Sequence, residues 1–332
     1  MTETQGTTSS RIRENGWARN LKAFFSRTEI TVLIALLVLC VAMSFASPYF
    51  LTAKNIVNIF RQFSLIAILA VGQAMIIIMA GIDLSVGAMV GFTACLGAAA
   101  AMQGAPPLLV LLIILGSGIA AGMLSGLLTT KVGIPSFITT LGMMSVLKGF
   151  SLLLTMGSPI HYDRTWISVV GSGYIGIVPV SVIVMIAIVI LGYLFMNYTT
   201  YGRYMYAIGN SEKAARLSGI RVDRMKILAF AITGMLGAVC GLILLGQLEG
   251  ADAYYGNGYE LDVIAAAVIG GISLAGGQGN LLGVVVGAAL MGVMKNAFVL
   301  LAIPGYWQTV AIGAVIIAAV AIDGLRGRRL LR

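Results

Sequence analysis

Apolar runs of 18 or more residues recur along almost the whole of this 332-residue chain, and only the stretch from Thr199 to Lys226 interrupts them at length. A run of that size is enough to carry an α-helix across the hydrocarbon core of a bilayer. Charged residues make up only 10% of the sequence, against about 25% in a typical soluble domain. The alternating segments of a transmembrane β-barrel are absent. The pattern therefore predicts an all-α polytopic membrane protein.

The net charge of +9 does not point to nucleic acid, because of where the cations sit. Of 21 Lys/Arg, five precede the first apolar run, six lie in Thr199–Lys226, four close the chain and one is Lys131. That clustering is the positive-inside pattern and predicts that all four segments face the cytoplasm. Ten spans fit, at 30–47, 63–80, 86–102, 108–130, 134–155, 177–197, 227–247, 260–275, 281–302 and 307–323. An even count places both termini in the cytoplasm. The resulting organisation is a tail over 1–29, a membrane domain over 30–323 with a cytoplasmic loop at 199–226, and a basic tail over 324–332. His161 and Asp163 fall in the longest outer loop, 156–176. The first run is too long and too far from the N-terminus for a cleaved signal peptide. Cys40, Cys95 and Cys240 sit singly in apolar segments and read as small core residues.

Two internal echoes suggest a duplication. Gly81-Ile82-Asp83-Leu84-Ser85-Val86-Gly87-Ala88 resembles Gly258-Tyr259-Glu260-Leu261-Asp262-Val263-Ile264-Ala265, and Ile134-Pro135-Ser136-Phe137 with Thr140 resembles Ile303-Pro304-Gly305-Tyr306 with Thr309. The offsets, 177 and 169, are nearly equal. An odd number of spans separates the copies, which predicts an inverted-topology repeat, a recurring transporter plan. Gly118, Gly122 and Gly126, and again Gly283 and Gly287, have the spacing that lets helix backbones approach closely in lipid.

No enzyme signature is present. The chain has one histidine, no G-x-x-x-x-G-K-[S/T] phosphate loop and no cluster with metal-ligand spacing. Gly270, Gly271, Gly276, Gly277 and Gly279 join two apolar spans and read as a tight turn. In the polar island, Gly209-Asn210 supplies a turn, Ser211 an N-cap, and Gly219 ends one short helix. Glu212 favours the positive end of the helix dipole. A solvated loop accounts for the charge of this segment. It does not account for Ala214, Ala215, Leu217 and Ile220, which predict an apolar face for docking a partner.

The stretch Tyr201-Gly202-Arg203…Ala207-Ile208-Gly209-Asn210…Ala214-Ala215-Arg216-Leu217-Ser218-Gly219-Ile220 resembles the membrane subunits of ribose-type ABC importers. So do the two segments that begin at Gly81 and Gly258, and the likeness runs from about 50 to 323. That permease family handles ribose, galactose, xylose, related sugars and autoinducer-2. The resemblance implies a pair of permease copies, identical or related, in the bacterial inner membrane. It also implies two cytoplasmic ATP-binding subunits and a periplasmic sugar-binding protein. ATP and Mg would be held by the ATPase, so no cofactor is expected in this chain. The family's E-A-A…G coupling helix matches Ser211, Glu212, Ala214, Ala215, Arg216, Leu217 and Gly219, with one residue inserted after the acid.

Charges within membrane spans are functional candidates. Lys148 and Lys295 lie inside spans, and Asp83, Glu260 and Asp262 at breaks or span ends. Asp83 and Ser85 read as a structural cap or gate. Phe137, Asn296, Trp307 and Gln308, near the two Ile-Pro breaks, are candidates for lining a sugar pathway. The alternatives are an ion-coupled carrier, an ABC permease for branched-chain amino acids, and a non-transporting scaffold.

Overall fold

The computed structural model describes residues 28–161 and 166–330. Asp163, the tail over 1–27 and Arg332 lie outside the described residues, as do the side chains of Arg326, Arg328 and Arg329. In chain order the helices are α1 (Thr28–Ala46), α2 (Ala53–Ile78), α3 (Val86–Met102), α4 (Pro107–Leu127), α5 (Ser136–Thr155), α6 (Trp166–Ser172) and α7 (Val180–Tyr198). They continue as α8 (Thr200–Asn210), α9 (Glu212–Leu217), α10 (Val222–Leu248), α11 (Tyr259–Ile269), α12 (Leu281–Leu300) and α13 (Gly305–Leu330). A π-helical turn, Leu128–Val132, extends α4. Four two-residue strands complete the described elements. β1 (Ile160–His161) pairs with β4 (Gly250–Ala251), and β2 (Tyr174–Ile175) with β3 (Val178–Pro179).

Seven helices, α1, α2, α4 with its π turn, α5, α7, α10 and α12, are long and apolar enough to cross a membrane. α3 and the apolar part of α13 are shorter. The predicted span at 260–275 is helical only over Tyr259–Ile269, and the chain continues as a glycine-rich turn that reaches the end of α2. α11 has 11 residues, or about 16 Å of helix against a hydrocarbon core of about 30 Å. It stops at Ile269 because Gly270 presses on the Gly283 backbone and Gly271 takes the left-handed conformation, at φ 92°. α2 starts ten residues before the predicted 63, capped by Thr52, whose hydroxyl accepts from the Asn55 N–H at 3.4 Å. Its first turns carry Lys54, Asn55, Asn58, Arg61 and Gln62, so hydropathy alone hides them.

α2 is the axis of the core. Every residue from Phe63 to Ile78 is buried, as expected of a helix apolar on all sides and wrapped by others. α10, α11 and α12 close around it. α5 and α7 instead present Phe137, Ile138, Phe150, Ile190 and Leu191 outward.

The duplication takes a definite form: α2–α5 corresponds to α10–α13. The first helix of each unit ends in a left-handed residue, Ala80 (φ 57°) or Glu249 (φ 51°), 169 positions apart. The third helix is followed by another, Gly133 (φ 81°) or Ala302 (φ 51°), at the same offset and just before Ile-Pro. Packing is reciprocal. α4 lies on α10 while α12 lies on α2, and α3 lies on α5 while α11 lies on α13. Mutual exchange of this kind is what a two-fold relation requires.

The equivalent of Asp83 is therefore Asp252, not Glu260. Each accepts the backbone N–H two residues on, Ser85 at 2.7 Å and Tyr254 at 2.8 Å, forming an Asx turn after the left-handed residue. The second unit then inserts eight residues before its short helix, the difference between the offsets of 177 and 169.

The small-residue ridges lie where the spacing predicts close approach. A Cβ on Gly122 would meet the Phe230 carbonyl, one on Gly118 the Gly234 carbonyl, and one on Gly287 the Ala266 carbonyl. Contact that tight replaces side-chain interdigitation with backbone-to-backbone packing.

Candidate functional site

The polar island holds two helices, α8 and α9, not the single short helix predicted. α8 starts on Thr199, whose hydroxyl accepts from the Gly202 N–H at 3.3 Å. It runs through Gly209 and Asn210, so the predicted turn there is corrected. Gly209 is needed for another reason: α8 crosses the end of α2, where a Cβ would land on the Ile78 carbonyl. Ile78 also accepts from the Gly277 N–H at 2.8 Å, and the Tyr206 hydroxyl donates to the Gly279 carbonyl at 3.0 Å. The glycine-rich turn between α11 and α12 is thus fastened to both α2 and α8.

Ser211 breaks the chain direction and caps α9, its hydroxyl accepting from the Ala214 N–H at 3.3 Å. Gly219, at φ 81°, ends it. The predicted apolar face is divided between the two sides of the helix. Ala215 is buried against the core and its carbonyl accepts the Ile220 N–H at 3.0 Å. Ala214 is exposed, and Leu217 is 82% exposed.

A chain of ion pairs ties α9 down. Glu212 accepts from Lys226 at 2.6 Å and from Arg216 at 2.9 Å. Arg216 also meets Asp223 at 2.6 Å, and Asp223 meets Lys131 at 2.9 Å. The network therefore links α9 to the first turns of α10 and to the π-helical end of α4. The hydrogen bond from Lys226, helped by Arg216, holds the Glu212 carboxyl below the usual carboxylate range.

Beneath α9 lies a cavity of about 450 Å³ between the α2–α3 break (Met79, Ala80, Gly81) and the α4–α5 connection (Thr129 to Ser136), with Glu212, Arg216 and Lys226 on its rim. The two connections are bonded to each other. The Ile82 N–H donates to the Ser136 hydroxyl at 3.2 Å, and the Thr140 hydroxyl donates to the Ile82 carbonyl at 3.3 Å.

Asp83 and Ser85 are fully buried in this break. Asp83 Oδ1 accepts from the Ser85 N–H at 2.7 Å and from its hydroxyl at 2.6 Å. With its nitrogen turned to the Asp83 carbonyl, the Gln73 amide pairs with both backbone groups of Asp83, at 3.2 and 3.3 Å.

The remaining candidates are scattered. Phe137 and Trp307 are about half exposed, at 50% and 56%. Asn296 lines neither the cavity beneath α9 nor the second cavity described below. It is locked in a reciprocal amide pair with Asn55, at 3.0 and 2.7 Å, between α2 and α12. Gln308 lines a second cavity, together with Arg61, Gln62, Gln247, Tyr259 and Lys295. Lys295 pairs with buried Asp262, and Lys148 lies over the Tyr254 ring at 4.9 Å. The sequence reading passed over Arg61, Gln62, Gln73 and Gln247. Long polar side chains inside otherwise apolar helices were the available signal, and starting α2 at 63 removed two of them from view.

The family described as branched-chain amino acid transport system / permease component matches residues 55–320. The chain belongs to this family. The ribose import permease protein RbsC of Haemophilus influenzae is 38% identical over 302 residues, 90% of this chain and 94% of that one. RbsC of Bacillus subtilis is 36% identical over 97% of this chain and 98% of its own length. The galactose/methyl galactoside import permease protein MglC of Escherichia coli is 33% identical over 94% and 99%. No solved structure matches the chain. Membership of the permease family fits α9, an exposed helix tethered to the ends of two long membrane-length helices.

Proposed function

We propose that the chain is the permease subunit of an ATP-driven importer for a monosaccharide or related polyol, in the inner membrane of a bacterium. It works with separate ATP-binding subunits, which hold ATP and Mg, with a second permease copy, and with a periplasmic sugar-binding protein. Both termini and the α8–α9 segment face the cytoplasm, which makes the α2–α5 and α10–α13 units inverted copies. Relatives with ribose and galactose import in their names, alike over almost the full chain, support the solute class. The observation that carries the reading is α9 itself: Leu217 stands 82% exposed while the charges beside it are braced to α10 and α4.

That bracing is suited to transmitting force. Closure of the ATP-binding subunits pushes on α9, Glu212 and Arg216 carry the push to Lys226 and Asp223, and α10 moves against the α2–α3 break below. Exposed ion pairs contribute only about 0.2–1 kcal/mol each, so the network orients α9 more than it stabilises the fold. Neutral solute is passed, not transformed, and the protein's task is alternating access to the two sides.

Leu217→Glu tests the docking. Co-purification of the ATP-binding subunits should fall at least tenfold, with membrane insertion and gel-filtration profile unchanged. Unchanged co-purification sinks the docking role. Ala215 is unsuited to the test, because it is 4% exposed and packs on the permease's own core.

The family's description favours a second reading, import of a branched-chain amino acid. Uptake of labelled ribose, chased by unlabelled leucine or galactose, separates the two. Uptake that persists without ATP-binding subunits and follows a proton or sodium gradient points instead to an ion-coupled carrier.

A further inference from the structure

The second cavity, about 330 Å³, lies at the end of α10 away from α9. Its residues Leu244 and Gln247 stand 14 or more positions beyond Phe230 of the first cavity, roughly 20 Å along the helix. Five helices each contribute to its wall: α2 (Arg61, Gln62), α10 (Gln247), α11 (Tyr259), α12 (Lys295) and α13 (Gln308). A volume of this order is at the small end of ligand pockets, which run from about 300 to 1,000 Å³.

Of the two cations at this cavity, Lys295 is ion-paired and Arg61 is held by a carbonyl and a ring. Lys295 is paired with Asp262, which is buried one helical turn from Tyr259, and it also lies over the Tyr259 ring at 5.4 Å. Arg61 donates from Nη2 to the Ser172 carbonyl at 3.0 Å and stacks over Tyr174 at 4.8 Å. What remains is neutral hydrogen-bonding capacity. Three glutamine amides and a tyrosine hydroxyl each both donate and accept. Two buried donors, Gln247 Nε2 and Arg61 Nε, have no partner among the described residues. Buried donors without partners are uncommon and ask for one. Sugar hydroxyls also donate and accept, so they match such a wall; Arg61, with no carboxylate partner among the described residues, adds one further free donor, Nε, for a solute oxygen.

We infer that this cavity is a binding site for the transported solute, a neutral polyhydroxylated molecule of monosaccharide size, held by Gln62, Gln247, Gln308 and Tyr259. The inference rests on the importer reading above and adds the residues that select the solute. It makes Gln247 and Gln308 specificity-determining side chains contributed by two different helices.

The test uses the complete transporter in proteoliposomes, with ribose as probe. Gln62→Leu, Gln247→Leu and Gln308→Leu should each cut ATP-driven uptake at least tenfold while the amount of assembled transporter stays normal. Gln247→Asn should recover part of the loss, which a purely structural role would not give. In the full chain, a cysteine in place of Gln308 should be shielded from a maleimide by ribose. Ribose 5-phosphate should not shield it. Normal uptake in all three leucine variants, or no shielding by ribose, overturns the site and leaves a merely water-filled vestibule. Better shielding by the phosphate overturns the neutral solute class. If the unmutated transporter takes up leucine and no sugar, it is the importer reading that fails.

Discussion

The ends of α2 and α10 are built alike and lined differently. Each helix stops at a left-handed residue followed by an aspartate that folds back on the backbone two positions on. At the α2 end the chain resumes at once as α3, and the break lies under α9 with its exposed ion pairs. At the α10 end eight extra residues intervene, and the cavity beyond is lined by amides and by Lys295, which is paired with buried Asp262. Equivalent positions make the contrast plain: Phe230, which lines the first cavity, corresponds to Arg61, which lines the second. Duplication kept the backbone geometry. Divergence of side chains left exposed ion pairs at one end, where we propose a mechanical role, and amides at the other, where we propose recognition.

Three measurements break or sharpen this comparison. The largest effect belongs to the buried pair, since Asp262 is 2% and Lys295 17% exposed. Lys295→Met strands a buried carboxylate and should cost about 3–5 kcal/mol, read as a fall in the thermal midpoint of the detergent-solubilised protein. Lys295→Met with Asp262→Asn should recover most of it. Asp223→Asn, in the exposed network, should cost less than about 1 kcal/mol. Equal losses at the two ends would remove the distinction drawn between them.

The next effect tests the repeat. Ala302 holds the left-handed conformation that its counterpart Gly133 adopts without strain. Ala302→Gly should stabilise the protein by about 1 kcal/mol, and Gly133→Ala should destabilise it by a similar amount. Opposite signs in the unfolding midpoint confirm that the two sites are equivalent; the same sign disproves it.

The smallest effect concerns pH. Glu212 has its carboxyl pKa lowered chiefly by the hydrogen bond from Lys226. Its contribution is therefore present above the unfolded carboxylate pKa, about 4.3, and is lost as pH falls through the lower folded value. Hydrogen exchange in Ser211–Gly219 should rise below about pH 4, and Glu212→Gln should flatten that rise. An unaltered profile in Glu212→Gln would show that α9 is held by Ala215, Ile220 and the Arg216–Asp223 pair without Glu212.

Much of the site region could be read from residue order. The Ser211 cap and the Gly219 stop are local signals, satisfied within three or four residues of backbone, and the structure has both. The face of α9 was not legible. Ala214 and Ala215 are identical residues, and only the position of α10 beneath them decides that one is buried. Asn296 shows the same limit. Being polar near an Ile-Pro break suggested a pathway, but Asn55, 241 residues earlier, meets it and uses its hydrogen bonds.

By itself the sequence determined that the chain is a bundle of membrane helices and where its polar segment lies, and it carried two echoes that suggest a duplication. Hydropathy, caps and Ile-Pro breaks are properties of short windows, so no distant contact is needed to express them. Which helix becomes the core axis, that α11 stops at 11 residues, and where the two cavities open were decided only by tertiary packing. The reason is that a helix bound for lipid is apolar on both its protein-facing and lipid-facing sides. Periodicity then carries no direction, and the few inward polar groups acquire meaning only from the partners that the fold brings to them.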